Sequence, residues 1–150
     1  MTSRRLVLKT LVCAPGAVLA KSSPILTNFR FGVIQEAAAE TFEFVDLTTR
    51  IPRRYKDSGF RWGIGFDNPT CEWLEWYELI HLPVDLREVS GNFQRTRART
   101  MRTRTSKSNR PSIVDDFWFD EGDPLGQHKI ELFVNGKVRY AMDFVVVEAQ

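Results

Sequence analysis

Ile130-Glu131-Leu132-Phe133-Val134-Asn135-Gly136-Lys137-Val138-Arg139-Tyr140-Ala141-Met142-Asp143-Phe144-Val145-Val146 is the stretch on which the fold turns. Ile130, Leu132 and Val134 alternate with Glu131 and Phe133. Beyond Asn135-Gly136, the residues Val138, Tyr140, Met142, Phe144 and Val146 alternate with Arg139, Ala141 and Asp143. A period of two places successive side chains on opposite faces of an extended chain, so both runs read as strands with one buried face. A two-residue loop would set Leu132 opposite Arg139 and send the two apolar sets to opposite faces. A three-residue loop with a left-handed Gly136 pairs Leu132 with Val138, Ile130 with Tyr140 and Glu131 with Arg139, and this is the expected register.

Working outward, the same periodicity recurs. Ile25, Thr27, Phe29, Phe31 and Val33 form a first strand, and Glu36 to Thr41, with three alanines, breaks the pattern as a short helical turn or a loop. Phe42 to Thr48 reads as a second strand closed by Ile51-Pro52, because proline removes a donor and restricts its predecessor. After the charged loop Arg53 to Ser58, the residues Phe60, Trp62, Ile64 and Phe66 present one inward face, with Gly63 and Gly65 on the other, and Asp67-Asn68-Pro69 turns the chain. Cys71 to Leu82 fits helix and strand templates in part. Glu72, Glu75 and Glu78 fall at helical spacing, whereas Trp73, Trp76, Tyr77 and Ile80 favour a strand, which is the reading adopted. Ser106 to Pro111 reads as a loop. Phe117 and Phe119 alternate with Asp116, Trp118 and Asp120 before a turn over Glu121 to Gly126. Seven or eight short strands separated by turns predict an all-β chain folded as an antiparallel β-sandwich.

A chain of 150 residues suits one such domain, expected over residues 24–150. The amino terminus differs from the rest. Arg4 and Arg5 precede Leu6 to Ala20, apolar apart from Lys9, Thr10 and Pro15, and Val18-Leu19-Ala20 offers small residues for cleavage. Residues 1–20 are therefore expected to be an export signal, or else a disordered leader. Cleavage implies a periplasmic or extracellular location, and its absence a cytoplasmic one. The stretch is shorter than the ~20 apolar residues of a spanning helix, so no membrane span is expected. Losing Arg4, Arg5 and Lys9 leaves 18 basic against 19 acidic residues, so the basic balance belongs mostly to the leader. Cys13 would go with it, leaving Cys71 without an intrachain disulfide partner.

The order and spacing of several short motifs resemble a bacterial family known as domain of unknown function 3859. They are Phe31-Gly32-Val33, Thr49-Arg50-Ile51-Pro52, the Phe60/Trp62/Ile64/Phe66 strand, His81-Leu82-Pro83, Phe117-Trp118-Phe119-Asp120-Glu121, Pro124-Leu125-Gly126, and the closing hairpin ending Phe144-Val145-Val146. The resemblance covers nearly everything from Pro24 onward. It implies an immunoglobulin-like sandwich, often behind an export signal, and brings no catalytic residues. Two departures are Arg61, after Phe60 where the family has glycine, and the Arg/Thr run described next.

Arg95, Arg97, Arg99, Arg102, Arg104, Lys107 and Arg110 are seven cations with no acid between Gln94 and Pro111. Guanidinium groups donate paired hydrogen bonds to phosphates and carboxylates, and their attraction is long-ranged at low salt. Alternation with threonine equally describes a solvated edge strand that charge protects from pairing, partly neutralised by Asp115, Asp116, Asp120, Glu121 and Asp123. No aromatic residue interrupts Gln94 to Val114 to stack on bases, so nucleic acid is not an expected partner. The acidic cluster matches no calcium loop, and His81 and His128 lie far apart with no zinc spacing, so no metal or other cofactor is expected. Trp118, pointing away from Phe117 and Phe119, could join Trp73, Trp76 and Tyr77 in an aromatic platform for a sugar or a partner chain, or pack beneath a loop. His128 is expected to face water. The resulting expectation is a non-enzymatic module that binds a macromolecule, a protein or an anionic surface, through Arg95, Arg97, Arg99, Arg102, Arg104 and Trp118. The alternative is a carbohydrate-binding module using exposed tryptophans.

Overall fold

The computed structural model describes residues 22–86, 88–89 and 91–150. The leader, with Cys13, lies outside the described residues. Among the described residues, eleven strands form two sheets. In chain order they are β1 (Thr27–Ala38), β2 (Thr41–Asp46), β3 (Arg50–Arg53), β4 (Arg61–Asp67), β5 (Leu74–His81), β6 (Phe93–Arg97), β7 (Thr100–Thr103), β8 (Ser106–Ser108), β9 (Ser112–Phe117), β10 (Gly126–Val134) and β11 (Lys137–Glu148). The smaller sheet runs β2-β1-β4-β9. The larger runs β3-β11-β10-β5-β7-β6, with β8 also pairing β5. Every pairing is antiparallel except that of β3, which runs parallel to β11. Pro52 is tolerated there because β3 is an edge strand.

The chain is thus the expected sandwich, with more and shorter strands. The extra ones come from β3 and from β6 to β8. Ser106–Ser108, read as loop, pairs β5 across Leu74 to Trp76. Glu36 to Ala38 continues β1 instead of turning helical. The reversal comes after it, with Glu40 in the left-handed region at φ 58°.

The closing hairpin departs from its expected register. Phe133 pairs with Val138 and Val134 with Lys137, so the loop has two residues. Asn135 and Gly136 hold φ 49° and 77°, the positive pair that the right-handed twist of a hairpin favours. Leu132 then pairs with Tyr140 and Ile130 with Met142, because Arg139 is an extra residue on β11 that resets the faces. The turn takes its preferred geometry and the bulge corrects the parity. Its cost is Val138, which lies outward and is half exposed.

Between the sheets, Ile64, Phe66, Ile130, Leu132 and Phe144 are essentially sealed from solvent. Trp62 sits among aromatic rings, 4.7 Å from Phe117 and 5.2 Å from Phe144 between centroids. On the outer side of β4, a Cβ built at Gly63 would stand 2.3 Å from the Asp115 carbonyl oxygen. One at Gly65 would stand 2.8 Å from the Phe44 ring. These two glycines let β9 and the Phe44 ring close onto β4.

Candidate functional site

The Arg/Thr run folds as the hairpin β6–β7 at one edge of the larger sheet, continuing into β8. Gln94 pairs with Arg102, Arg95 with Met101 and Arg97 with Thr100. Arg95, Arg97 and Arg104 are exposed and have no ion pair among the described residues. Arg99 meets Asp85 at 2.7 Å, an exposed pair that solvent screens. Arg102 lies 3.8 Å above the Tyr77 ring, which itself stacks on Phe133 at 4.9 Å. Its charge therefore sits on the outer face of the larger sheet. Three of the acids expected to neutralise the run do other work. Asp115 accepts from Trp76 Nε1, Asp116 lies 3.5 Å from Arg61 Nε, and Asp123 accepts from the Asp120 amide at 2.7 Å.

Between this arm and β9 lies a cleft of about 410 Å3. Phe93, Thr103 and Arg104 line it from the arm, and Asp115, Phe117 and Trp118 from the other side. Of the six predicted site residues, the cleft unites Arg104 and Trp118. Arg95, Arg97 and Arg99 follow the arm, and Arg102 turns to the outer sheet face. Phe117 and Phe119 are buried, which directs Trp118 outward as the alternation requires. Its ring is occupied by cations, however, with Lys56 Nζ at 4.5 Å and Arg61 Cζ at 5.3 Å from the centroid. Arg61 thus serves both Trp118 and Asp116. Burial raises the Asp116 carboxyl, opposed by the Arg61 charge.

Behind Asp115 stands a residue that pattern reading passed over. Glu78 is 2% exposed, on the inward face of β5 between Trp76 and Ile80. Thr103 Oγ1 donates to Glu78 Oε2 at 2.6 Å and accepts from the Glu78 amide at 2.8 Å. Asp115 is the titratable neighbour that acts on the Glu78 carboxyl. Burial, reinforced by the Asp115 charge, holds the Glu78 carboxyl well above the ordinary carboxylate range. The signal was present in the sequence. Once Cys71 to Leu82 is read as a strand, Glu78 shares parity with Leu74, Trp76, Ile80 and Leu82.

The tryptophans do not make one platform. Trp76 is in the core and Tyr77 is on the outer sheet face. Trp73, 71% exposed, lines a separate groove of about 560 Å3 with Pro24, Glu72, Lys107, Asn135 and Arg139. His128 is buried against Phe144 rather than facing water, bonded to the Gly126 carbonyl at 2.9 Å, and burial lowers its pKa. Its ring stands on the inward face of β10, with the parity of Ile130. His81 ends β5, with Glu131 Oε2 2.7 Å from its Nε2. Among the described residues no group of three histidine, cysteine, aspartate or glutamate side chains is arranged to hold a metal ion. No helix among them is long and apolar enough to cross a membrane.

A family model described as the PM0630 beta sandwich domain matches residues 29–147. Among solved structures, the chain is similar to an immunoglobulin-like protein of Pseudomonas aeruginosa. The TM-score is 0.53 at 15% identity, over 81% of this chain and 93% of that one. At that identity the likeness bears on the fold alone. No curated protein matches the chain.

Proposed function

The chain belongs to the PM0630 beta sandwich domain family, and from that premise we propose that it is a non-enzymatic binding module whose contact surface is the β6–β7 arm with the adjoining cleft. The narrower kinship with domain of unknown function 3859 is part of this proposal, supported by the ordered motifs from Phe31-Gly32-Val33 to the closing hairpin. So is export, supported by the leader sequence. The observation that carries the binding reading is the set Arg95, Arg97 and Arg104, without an ion pair among the described residues, beside a cleft with aromatic walls. Exposed cations steer an acidic macromolecule toward the arm, and burial of the partly exposed Phe93 and Trp118 against it supplies affinity. An acidic protein surface fits this arrangement best.

Capture of the full chain on poly-glutamate beads, with anionic lipid vesicles as a second probe, tests it. Binding should fall steeply with added salt. R97Q/R99Q should weaken it about tenfold at low salt, the sum of two rim charges at about 0.7 kcal/mol each. Capture that is indifferent to both changes overturns the reading. A second reading has one specific support. Trp73 is an open aromatic face beside Glu72, Asn135 and Arg139, the mixture that sugar rings stack on and bond to. An oligosaccharide array would then shift tryptophan emission independently of salt, and W73A would abolish the shift.

A further inference from the structure

We propose that Glu78 and Asp115 form a proton-operated clasp between the two sheets, which holds the arm against β9 and so sets access to the cleft. This deepens the binding reading above by adding regulation to the same surface. The geometry comes first. Glu78 belongs to the larger sheet and Asp115 to the edge strand of the smaller, and Trp76, two residues before Glu78 on β5, bonds Asp115 across the interior and sets its carboxylate beside Glu78. Trp76 Nε1 donates to Asp115 and Thr103 Oγ1 to Glu78 Oε2, so β5, β7 and β9 converge on one pair. Glu78 Oε1 is buried without an N–H or O–H donor among the described residues. Two neighbouring carboxyls, one oxygen of which lacks a donor, tolerate each other best with a proton between them; without it they are like charges in a low-dielectric interior.

Among the described residues neither carboxyl has an ion pair. From β9 the facing titratable group is Asp115 itself, and from β7 the facing group is Thr103. The neighbours on β10, Ile130, Leu132 and Val134, are apolar. Farther along the cleft, Asp116 is engaged with Arg61, and Arg104 is exposed at the rim.

The sign follows from linkage. The Glu78 carboxyl is raised in the closed state and returns to its ordinary value of 4.5 when freed. Closure is therefore tightest at and below that ordinary value and weakens as pH rises toward the raised one. One linked proton changes the opening equilibrium by at most about tenfold per pH unit.

Amide hydrogen exchange on the full chain without any partner, corrected for intrinsic rates, reads the clasp. From about pH 5 to about pH 8, protection in β7 and β9 should fall, by up to about tenfold per unit, while the β10–β11 hairpin holds constant. In E78Q the carboxamide donates to Asp115 at every pH, so the profile should be flat. D115N removes the like charge but leaves Glu78 buried, so it should make the fall smaller, and it serves if E78Q does not fold. Constant wild-type protection in β9, equal loss in the β10–β11 hairpin, or a wild-type slope retained in a folded variant would overturn the clasp. The two proposals separate cleanly. R97Q/R99Q should lose poly-glutamate capture and keep the pH profile, whereas E78Q should lose the profile and keep capture at about pH 5.

Discussion

Trp118 shows how a side chain legible as outward-facing can still be engaged. Two cations, Lys56 and Arg61, lie over its ring. Each cation–π contact at a partly exposed site contributes roughly 0.5–1 kcal/mol. W118A should therefore cost about 1–2 kcal/mol in urea unfolding, more than an unengaged surface residue would. Asp67 makes a second case at this scale. Its carboxylate accepts from Asn28 at 2.9 Å, from Ser112 at 3.1 Å and from Arg30 at 2.9 Å. These partners, Asn28 foremost, hold its pKa below the ordinary value of 3.8. A lowered carboxylate contributes stability that is present above the ordinary value and lost as pH falls through the lowered one. Melting temperature followed from about pH 6 down to about pH 2 should thus fall less steeply in D67N than in the wild type. The slope has the opposite sign to that of Glu78, so acid and base loosen different parts of the fold.

Elements differ in how they use their glycines, which gives a sharp contrast. At Gly136 the backbone is left-handed but a Cβ would meet nothing within 4 Å, so G136A should cost only about 1 kcal/mol of strain. At Gly63 the new Cβ would collide with the β9 backbone at Asp115, and no side chain can swing away. G63A should cost about 3 kcal/mol or separate β9 from β4. Denaturant unfolding of both variants checks the ranking. The same elements show what sequence reading could reach. Strand identity in β4, β5 and β10 was legible because the apolar period survives along each. The hairpin register was not, because a bulge at Arg139 defeats any argument that assumes unbroken alternation. Nor were β3 and β8, whose three or four residues are too few to display a period. Within the candidate site, the charge of the arm and the outward direction of Trp118 were legible. The partition of Arg102 onto Tyr77, and the meeting of Glu78 with Asp115, required two segments distant in sequence to be brought together by sheet packing. His128 misled because a histidine at a strand start is usually wet, whereas the Gly126 carbonyl satisfies this one and allows its burial.

At the scale of the whole molecule, the larger sheet is closed at one edge by a long-range partnership. β3 adds to β11 through Val145↔Arg50 to Glu148↔Arg53, and Arg53 bonds Glu148 at 2.8 Å. Val146 and Ile51 are both sealed from solvent at that seam. Removing residues 145–150 should therefore delete Val146 and uncover Ile51, at a cost on the order of 4 kcal/mol, from the burial of two aliphatic side chains at about 2 kcal/mol each. Urea midpoints of the full and shortened chains measure it.

That partnership also bears on how the protein is born. A ribosome releases residues in order, so β1, β2, β4 and β9 can all assemble before β10 and β11 exist. Until then the nascent smaller sheet presents Phe31, Trp62, Ile64 and Phe66 without the Ile130, Leu132 and Phe144 that complete their cover. Such a half-sandwich is a natural client for a holding chaperone, and the synthesis of β10 and β11 decides when it is let go.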